Sequence, residues 1–165
     1  MRQAVRHWSV WAGVAALVLS VAGIAGAQVV PVANPSFEEG TGAPVNWTLS
    51  GGEGAWQEVE GASGTHGIVV KGTGQDTNFW RSEPLPLEAS AVYRLRFRGR
   101  SLDATGGVGI SGPVFCNRDL SDLRADAWND YTSYFMAPKE ITPEKAWIRF
   151  GQWHETGSIA FDDIE

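Results

Sequence analysis

Disulfides are out of reach for this chain: Cys116 is its only cysteine, and an internal cross-link takes two. The fold must then be held by its core, with a metal as the other available staple. The stretch PVFCNRDL gives the thiol no catalytic partner, so Cys116 reads as a buried, inert side chain. Catalytic signatures are missing as well. GISGP and GASGT do not match a GxSxG nucleophile elbow, and neither a phosphate-binding loop nor a dinucleotide fingerprint is present. Two histidines follow residue 27, and HETG at 154–157 lacks the second histidine of a zinc motif, which leaves little for zinc. The acid pairs Glu38–Glu39 and Asp162–Asp163 are sequence neighbours. On a strand, neighbours point to opposite faces, so neither pair straddles a scissile bond. The chain is expected to be non-catalytic, although an active site assembled from distant residues stays open.

Positive charge is also scarce. The first 27 residues hold two of the 13 Lys+Arg and none of the 19 Asp+Glu, so the remainder sets 11 bases against 19 acids, a formal charge of −8. An acidic surface repels nucleic acid and anionic membranes, and both are poor partners. It also disfavours a highly anionic polysaccharide, unless a local basic strip overrides the average. Long apolar runs are absent except at the start. There, Arg2 and Arg6 precede an apolar stretch from Val10 to Ile24 and the small-residue site Ala25-Gly26-Ala27. That pattern is a secretory signal peptide over residues 1–27, which predicts export with cleavage. Residues 28–165 then form one module.

Sustained helical periodicity is lacking too. The nearest approach, NRDLSDLRADAW (117–128), suits one helical turn or a structured loop. Short strand-like runs are present instead, near 30–38, 47–50, 55–60, 67–71, 78–83, 91–101, 107–111, 128–136, 145–152 and 158–164. Glycine- and proline-rich turns separate them. This spacing predicts an all-β sandwich or barrel. The chain stops at Glu165 directly after the run SIAFDDIE, which suggests a piece of a longer protein.

The clearest single signal is YRLRFRGR (93–100), with Arg94, Arg96, Arg98 and Arg100 at every second position. A period of two is a strand with one apolar face, Tyr93, Leu95 and Phe97, and one guanidinium face. Those arginines have two uses. They can pair across strands with acids such as Glu58, Glu60, Asp130 or Asp163, each exposed pair contributing about 0.2–1 kcal/mol. Alternatively, one or two, Arg98 with Arg149, hydrogen-bond a ligand's hydroxyls. In WIRFGQW, Ile148 and Phe150 alternate with Trp147, Arg149 and Trp153, so one set is core and the other lies on the opposite face.

The order of motifs resembles a known family. NPSFEEG (34–40), APVNW (43–47), GTHG (64–67) leading into IVVKG, FWRSEPLPLEASAVYRLRFRGRS (79–101), AWNDYTSYFMAP (127–138), WIRFGQW and FDDIE follow one another. Together they are similar to the galactose-binding-like jelly-roll domains. The nearest resemblance is to the cellulose- or xylan-binding carbohydrate-binding modules of secreted bacterial proteins. The resemblance implies a two-sheet antiparallel β-sandwich, a jelly roll. It also implies a non-catalytic, monomeric module that binds a polysaccharide or oligosaccharide and sits at the N-terminus of a longer extracellular protein such as a hydrolase. The alternative is a structural or protein-interaction sandwich without a sugar site. The family also implies a structural calcium tying the first strand to the last, at positions matching Glu38 and Asp162 or Asp163. Calcium takes several hard oxygens, so these carboxylates plus carbonyls of GASGTHG suit it chemically. Trp47 and Trp128 fall where the family packs core. A sugar ring packs its C–H face on an exposed aromatic and its hydroxyls on planar polar groups. The ligand-binding candidates are therefore Trp56, Trp80, Arg98, Arg149, Gln152 and Trp153.

Overall fold

A computed structural model describes residues 28–165; the expected signal segment, 1–27, lies outside the described residues. These fold into ten strands: β1 (Trp47–Ser50), β2 (Glu53–Glu58), β3 (His66–Thr73), β4 (Thr77–Ser82), β5 (Val92–Ser101), β6 (Val108–Pro113), β7 (Arg118–Leu120), β8 (Asn129–Met136), β9 (Ile148–Trp153) and β10 (Thr156–Asp162). They form two antiparallel five-stranded sheets. The front sheet runs β1-β4-β9-β6-β7 and the back sheet β2-β3-β10-β5-β8. The chain is thus the expected all-β two-sheet sandwich with jelly-roll crossings. No helix among the described residues is long and apolar enough to cross a membrane.

The period-two rows build the core. Leu95 and Phe97 of β5, Ile68 and Val70 of β3, and Ile159 and Phe161 of β10 face Trp80, Ile148 and Phe150 of the front sheet, all buried. Phe150 is the hub: its ring centroid lies 5.0 Å from Phe97, 5.5 Å from Phe161 and 6.0 Å from Trp47. Each such side chain contributes about 1.5–3 kcal/mol by leaving water. One inward spot is polar. Gln152 Nε2 donates to Asn78 Oδ1 at 3.0 Å. Asn78 Nδ2 donates to the carbonyl of Lys71 at 3.0 Å and to that of Glu53, which joins the two sheets. Buried amides are tolerable only when partnered in this way.

Three local expectations are corrected. Residues 30–38 are not a strand. Asn34 and Phe37 take positive φ (48° and 57°), and the Asn34 amide bonds the Glu39 carbonyl at 2.8 Å, so this segment is a loop that plugs Phe37 onto Trp47, 5.0 Å away. Within 117–128, Arg118–Leu120 forms the edge strand β7, paired with Gly109–Ser111; the rest is loop. Cys116 is exposed, not buried, because it occupies the turn after β6, where its N–H reaches the Pro113 carbonyl at 3.0 Å. The first and last segments meet: Ile164 N donates to Pro35 O at 2.9 Å.

Candidate functional site

The arginine row of β5 lies on the outer face of the back sheet, and its side chains are matched by protein groups. Arg96 Nη1 lies 2.9 Å from Glu165 Oε2 and Arg94 Nη2 3.6 Å from its Oε1. Arg100 donates to the carbonyls of Glu60 (2.9 Å) and Ala125 (3.3 Å). Arg98 donates to Ser63 Oγ (3.0 Å), Asp163 (3.3 Å) and Gly61 O (3.3 Å), lies 3.9 Å from Asp130, and sits 5.1 Å over the Trp128 ring. Trp128 in turn donates Nε1–H to Glu60 O at 3.0 Å. Asp130 and Asp163 act as the expected partners, whereas Glu60 serves through its backbone and Glu165 takes the remaining pair. Arg98, a ligand candidate, is the anchor of the 60–65 loop in this structure.

Three other candidates also belong to the scaffold. Trp80 is 4% exposed, with its indole N–H bonded to the Val69 carbonyl at 3.0 Å. Gln152 is 0% exposed and accepts from Glu155 N at 2.8 Å as well as donating to Asn78. Neither reaches the surface. Trp56 is half-buried at the sandwich edge; its Nε1–H goes to Phe37 O at 2.6 Å and its ring stacks on His66 at 4.4 Å. These three residues pin loops and sheets together.

Arg149 and Trp153 are placed differently. Both lie on the outer face of the front sheet, on the opposite pleat from Ile148, Phe150 and Gln152. Antiparallel register sets Arg81 directly across from Arg149, and Phe79 across from Gly151. Trp147 joins them: its ring stacks on Phe79 at 5.9 Å and carries the Arg81 guanidinium at 5.6 Å, while Arg149 lies 5.2 Å over Phe79. Gly151 and Gly112 keep the floor low. A Cβ on Gly151 would run into Asn78 O and Phe79, and Gly112 holds φ at 97°. At one end Trp153 stands 52% exposed, stacked on His154 at 4.2 Å. At the other, Thr48, Arg81, Glu83, Glu144 and Trp147 line a cleft of about 220 Å³. Burial alone pushes the Arg149 guanidinium below its ordinary pKa, and its Nε is buried without a partner among the described residues. This face can pack a flat apolar ring on Trp153 and offer guanidinium N–H groups to oxygen acceptors beside it. Phe79, Arg81 and Trp147 were not among the sequence candidates. Trp147 had a visible signal in the WIRF alternation, and Arg81 follows once β4 is phased against β9.

The calcium candidates converge on one loop. Glu38 Oε1 accepts from Thr65 N (3.0 Å) and His66 N (2.9 Å), and its Oε2 from Thr65 Oγ1 (3.0 Å). Burial alone would raise the Glu38 pKa, but those N–H and O–H donors outweigh it and hold the carboxyl below its usual value. Asp162 is 0% exposed. Its Oδ2 accepts from Ser63 N and its Oδ1 from Asp163 N, both at 2.8 Å. Burial pushes its pKa up to about 6 despite these bonds. Asp163 contacts Ser63 Oγ and Arg98. The side chains brought beside this one loop offer hard carboxylate oxygens, the chemistry calcium takes. In this geometry, however, the oxygens are turned to N–H groups, and among the described residues no three His, Cys, Asp or Glu group as metal ligands.

No protein-family model and no curated protein matches the chain. Solved structures do. A carbohydrate-binding module of family CBM4 aligns with TM-score 0.57 at 14% identity, over 82% of this chain and 97% of the other. The CBM22-1–GH10 part of xylanase 10B from Clostridium thermocellum, complexed with xylohexaose, aligns with TM-score 0.55 at 17% identity, over 82% of this chain. This chain spans 27% of that protein. A cyclase from Fischerella sp. TAU, complexed with 4-(1H-indol-3-yl)butan-2-one, aligns with TM-score 0.60 at 14% identity, over 83% and 96%. The fold is that of the jelly-roll carbohydrate-binding modules, and the cyclase shares it.

Proposed function

We propose that this chain is a secreted, non-catalytic carbohydrate-binding module whose ligand lies across the outer face of the front sheet. The observation that carries this reading is the row Trp153, Phe79–Arg149, Arg81–Trp147: an exposed indole and, beside a cleft, two guanidinium groups that no carboxylate among the described residues pairs with. The CBM4 and CBM22 folds support it. Export rests on the signal-like residues 1–27. A role as accessory domain of a longer hydrolase draws on the xylanase, in which a similar module accompanies a GH10 module. The test is affinity electrophoresis through gels containing xylan, soluble cellulose derivatives and β-glucans. Wild type should be retarded by at least one polymer, and Trp153→Ala should migrate as in the blank gel. Retardation by none overturns the reading.

A structural calcium remains within this proposal, with Glu38, Asp162 and Asp163 as carboxylate donors. Supporting it is Asp162, a buried carboxylate that N–H bonds alone leave with a raised pKa. Melting in calcium and in chelator should differ if the ion is taken up, and identical curves exclude it. A second reading, a protein-interaction sandwich, draws on exposed Val92, Tyr134 and Met136 along β5 and the edge strand β8. It predicts loss of self- or partner association on Tyr134→Ser, with sugar retention unaffected.

A further inference from the structure

Arg81 and Arg149 stand directly opposite one another in the β4–β9 register. Like charges in that position repel, and a chain with more acids than bases has ample means to neutralise them. It does so for Arg94, Arg96 and Arg98 of β5, and Arg100 is bonded to two backbone carbonyls. On the front sheet it does not. Among the described residues neither Arg81 nor Arg149 forms an ion pair. Arg149 has one hydrogen bond, Nη2 to Asn117 Oδ1 at 3.3 Å, and its Nε has none. Both guanidinium groups are held in place over aromatic rings, Arg81 on Trp147 and Arg149 on Phe79, with donor edges left unused. Two guanidinium groups rooted at facing positions of neighbouring strands, with N–H donors left over, suit a carboxylate in chemistry and charge.

Resting on the carbohydrate reading of this face, we propose that its ligand is a sugar acid, in which the carboxylate of a uronic acid lies between Arg81 and Arg149 while a neighbouring ring packs on Trp153. Glu83 and Glu144 line the cleft on the Arg81 side and Asp119 falls on the outer row of β7 beside Ile110. These acids, with the acidic surface as a whole, repel further carboxylates. The preferred ligand is therefore an otherwise neutral chain bearing an isolated uronic acid, and a polyuronate binds less well.

The test is calorimetric titration of the purified protein with xylo-oligosaccharides carrying one glucuronic acid and with oligogalacturonate. Each is compared with its own carboxyl-reduced form, and a polyglutamate peptide is run alongside. At least one acidic form should bind about tenfold more tightly than its reduced counterpart, the worth of one charge-assisted hydrogen-bonded contact, and added salt should narrow the gap. Arg81→Gln and Arg149→Gln should each lower binding of the acidic form more than that of the reduced form. Arg81→Lys, which keeps the charge, should retain part of the gap. Melting curves matching wild type show that the variants fold. Equal binding of acidic and reduced forms overturns the proposal and leaves the carbohydrate reading standing. Binding to no sugar sinks both, and tighter binding of the peptide replaces the sugar acid with an acidic protein partner.

Discussion

The two sheets carry the same motif on their outer faces, an arginine over an indole, and complete it in opposite ways. On the back sheet Arg98 covers Trp128, but its donors go to Ser63, Gly61 and Asp163. Trp128 is bonded to Glu60, and a small apolar cluster of Val59, Val69 and Ala160 seals the floor. On the front sheet Arg81 covers Trp147 and Arg149 covers Phe79; the Trp147 indole is bonded to Glu144 O and Arg149 to Asn117, yet among the described residues no carboxylate pairs with either guanidinium group. Arginine and tryptophan in a sequence therefore do not announce a ligand surface. What separates a structural pair from a binding pair is whether the protein itself uses up the donors.

The largest effect should separate two tryptophans that look alike in sequence. Trp80→Ala removes a buried ring and its bond to Val69, and should cost about 3–5 kcal/mol, lowering the melting temperature by on the order of 10 °C. Trp153→Ala should change stability by about 0.5 kcal/mol or less while abolishing polysaccharide retention. Similar melting curves for the two variants would break the distinction between the faces.

The carboxylates at the chain junction come next. Asp162 has its folded pKa raised to about 6, so between pH 3.8 and 6 the folded state binds the extra proton. Its contribution to stability is then fully present at the acid end and lost as pH rises, by up to about 3 kcal/mol. Glu38, held low, has the opposite sign: its contribution is present above pH 4.5 and fades as the carboxyl protonates. Urea melts of Asp162→Asn across pH 4–7 should show the falling component removed, and an unchanged slope would contradict the assignment.

A smaller difference is expected between matched arginines. Arg98→Ala should lose about 1–2 kcal/mol by freeing the 60–65 loop, and sugar binding should persist. Arg149→Ala, which relieves its repulsion with Arg81, should be close to neutral in stability and weaken binding. Equal losses of stability would show the front face to be as closed as the back. The smallest effect belongs to Arg94, whose exposed contact to Glu165 spans 3.6 Å: Arg94→Ala should shift stability by about 0.5 kcal/mol or less.

Most of the sandwich was legible because period two is hard to counterfeit. Tyr93–Arg100 alternates without a break, and Ile148–Phe150 phases β9 unambiguously. The failures came where that cue vanished. In FWRS, Phe79 and Trp80 are adjacent aromatics, so the inward one cannot be chosen until β4 pairs with β9; Trp80, the ligand candidate, is the inward one. Gln152 shares the inward pleat of Ile148 and Phe150, but its polarity suggested solvent; the Asn78 amide that makes burial possible lies 74 residues away in sequence. Residues 30–38 read as a strand because Val32 and Phe37 are apolar, whereas the positive φ at Asn34 and Phe37 follows from tertiary packing of the Phe37 plug.

The claim that matters most is that the front sheet's outer face, and not the arginine-rich back sheet, meets the ligand. Backbone amide NMR of the labelled protein, titrated with an oligosaccharide from a polymer that retards it, tests this residue by residue. Shifts should concentrate at Phe79, Arg81, Trp147, Arg149 and Trp153. Shifts gathered instead around Arg98, Arg100 and Trp128 would contradict the account.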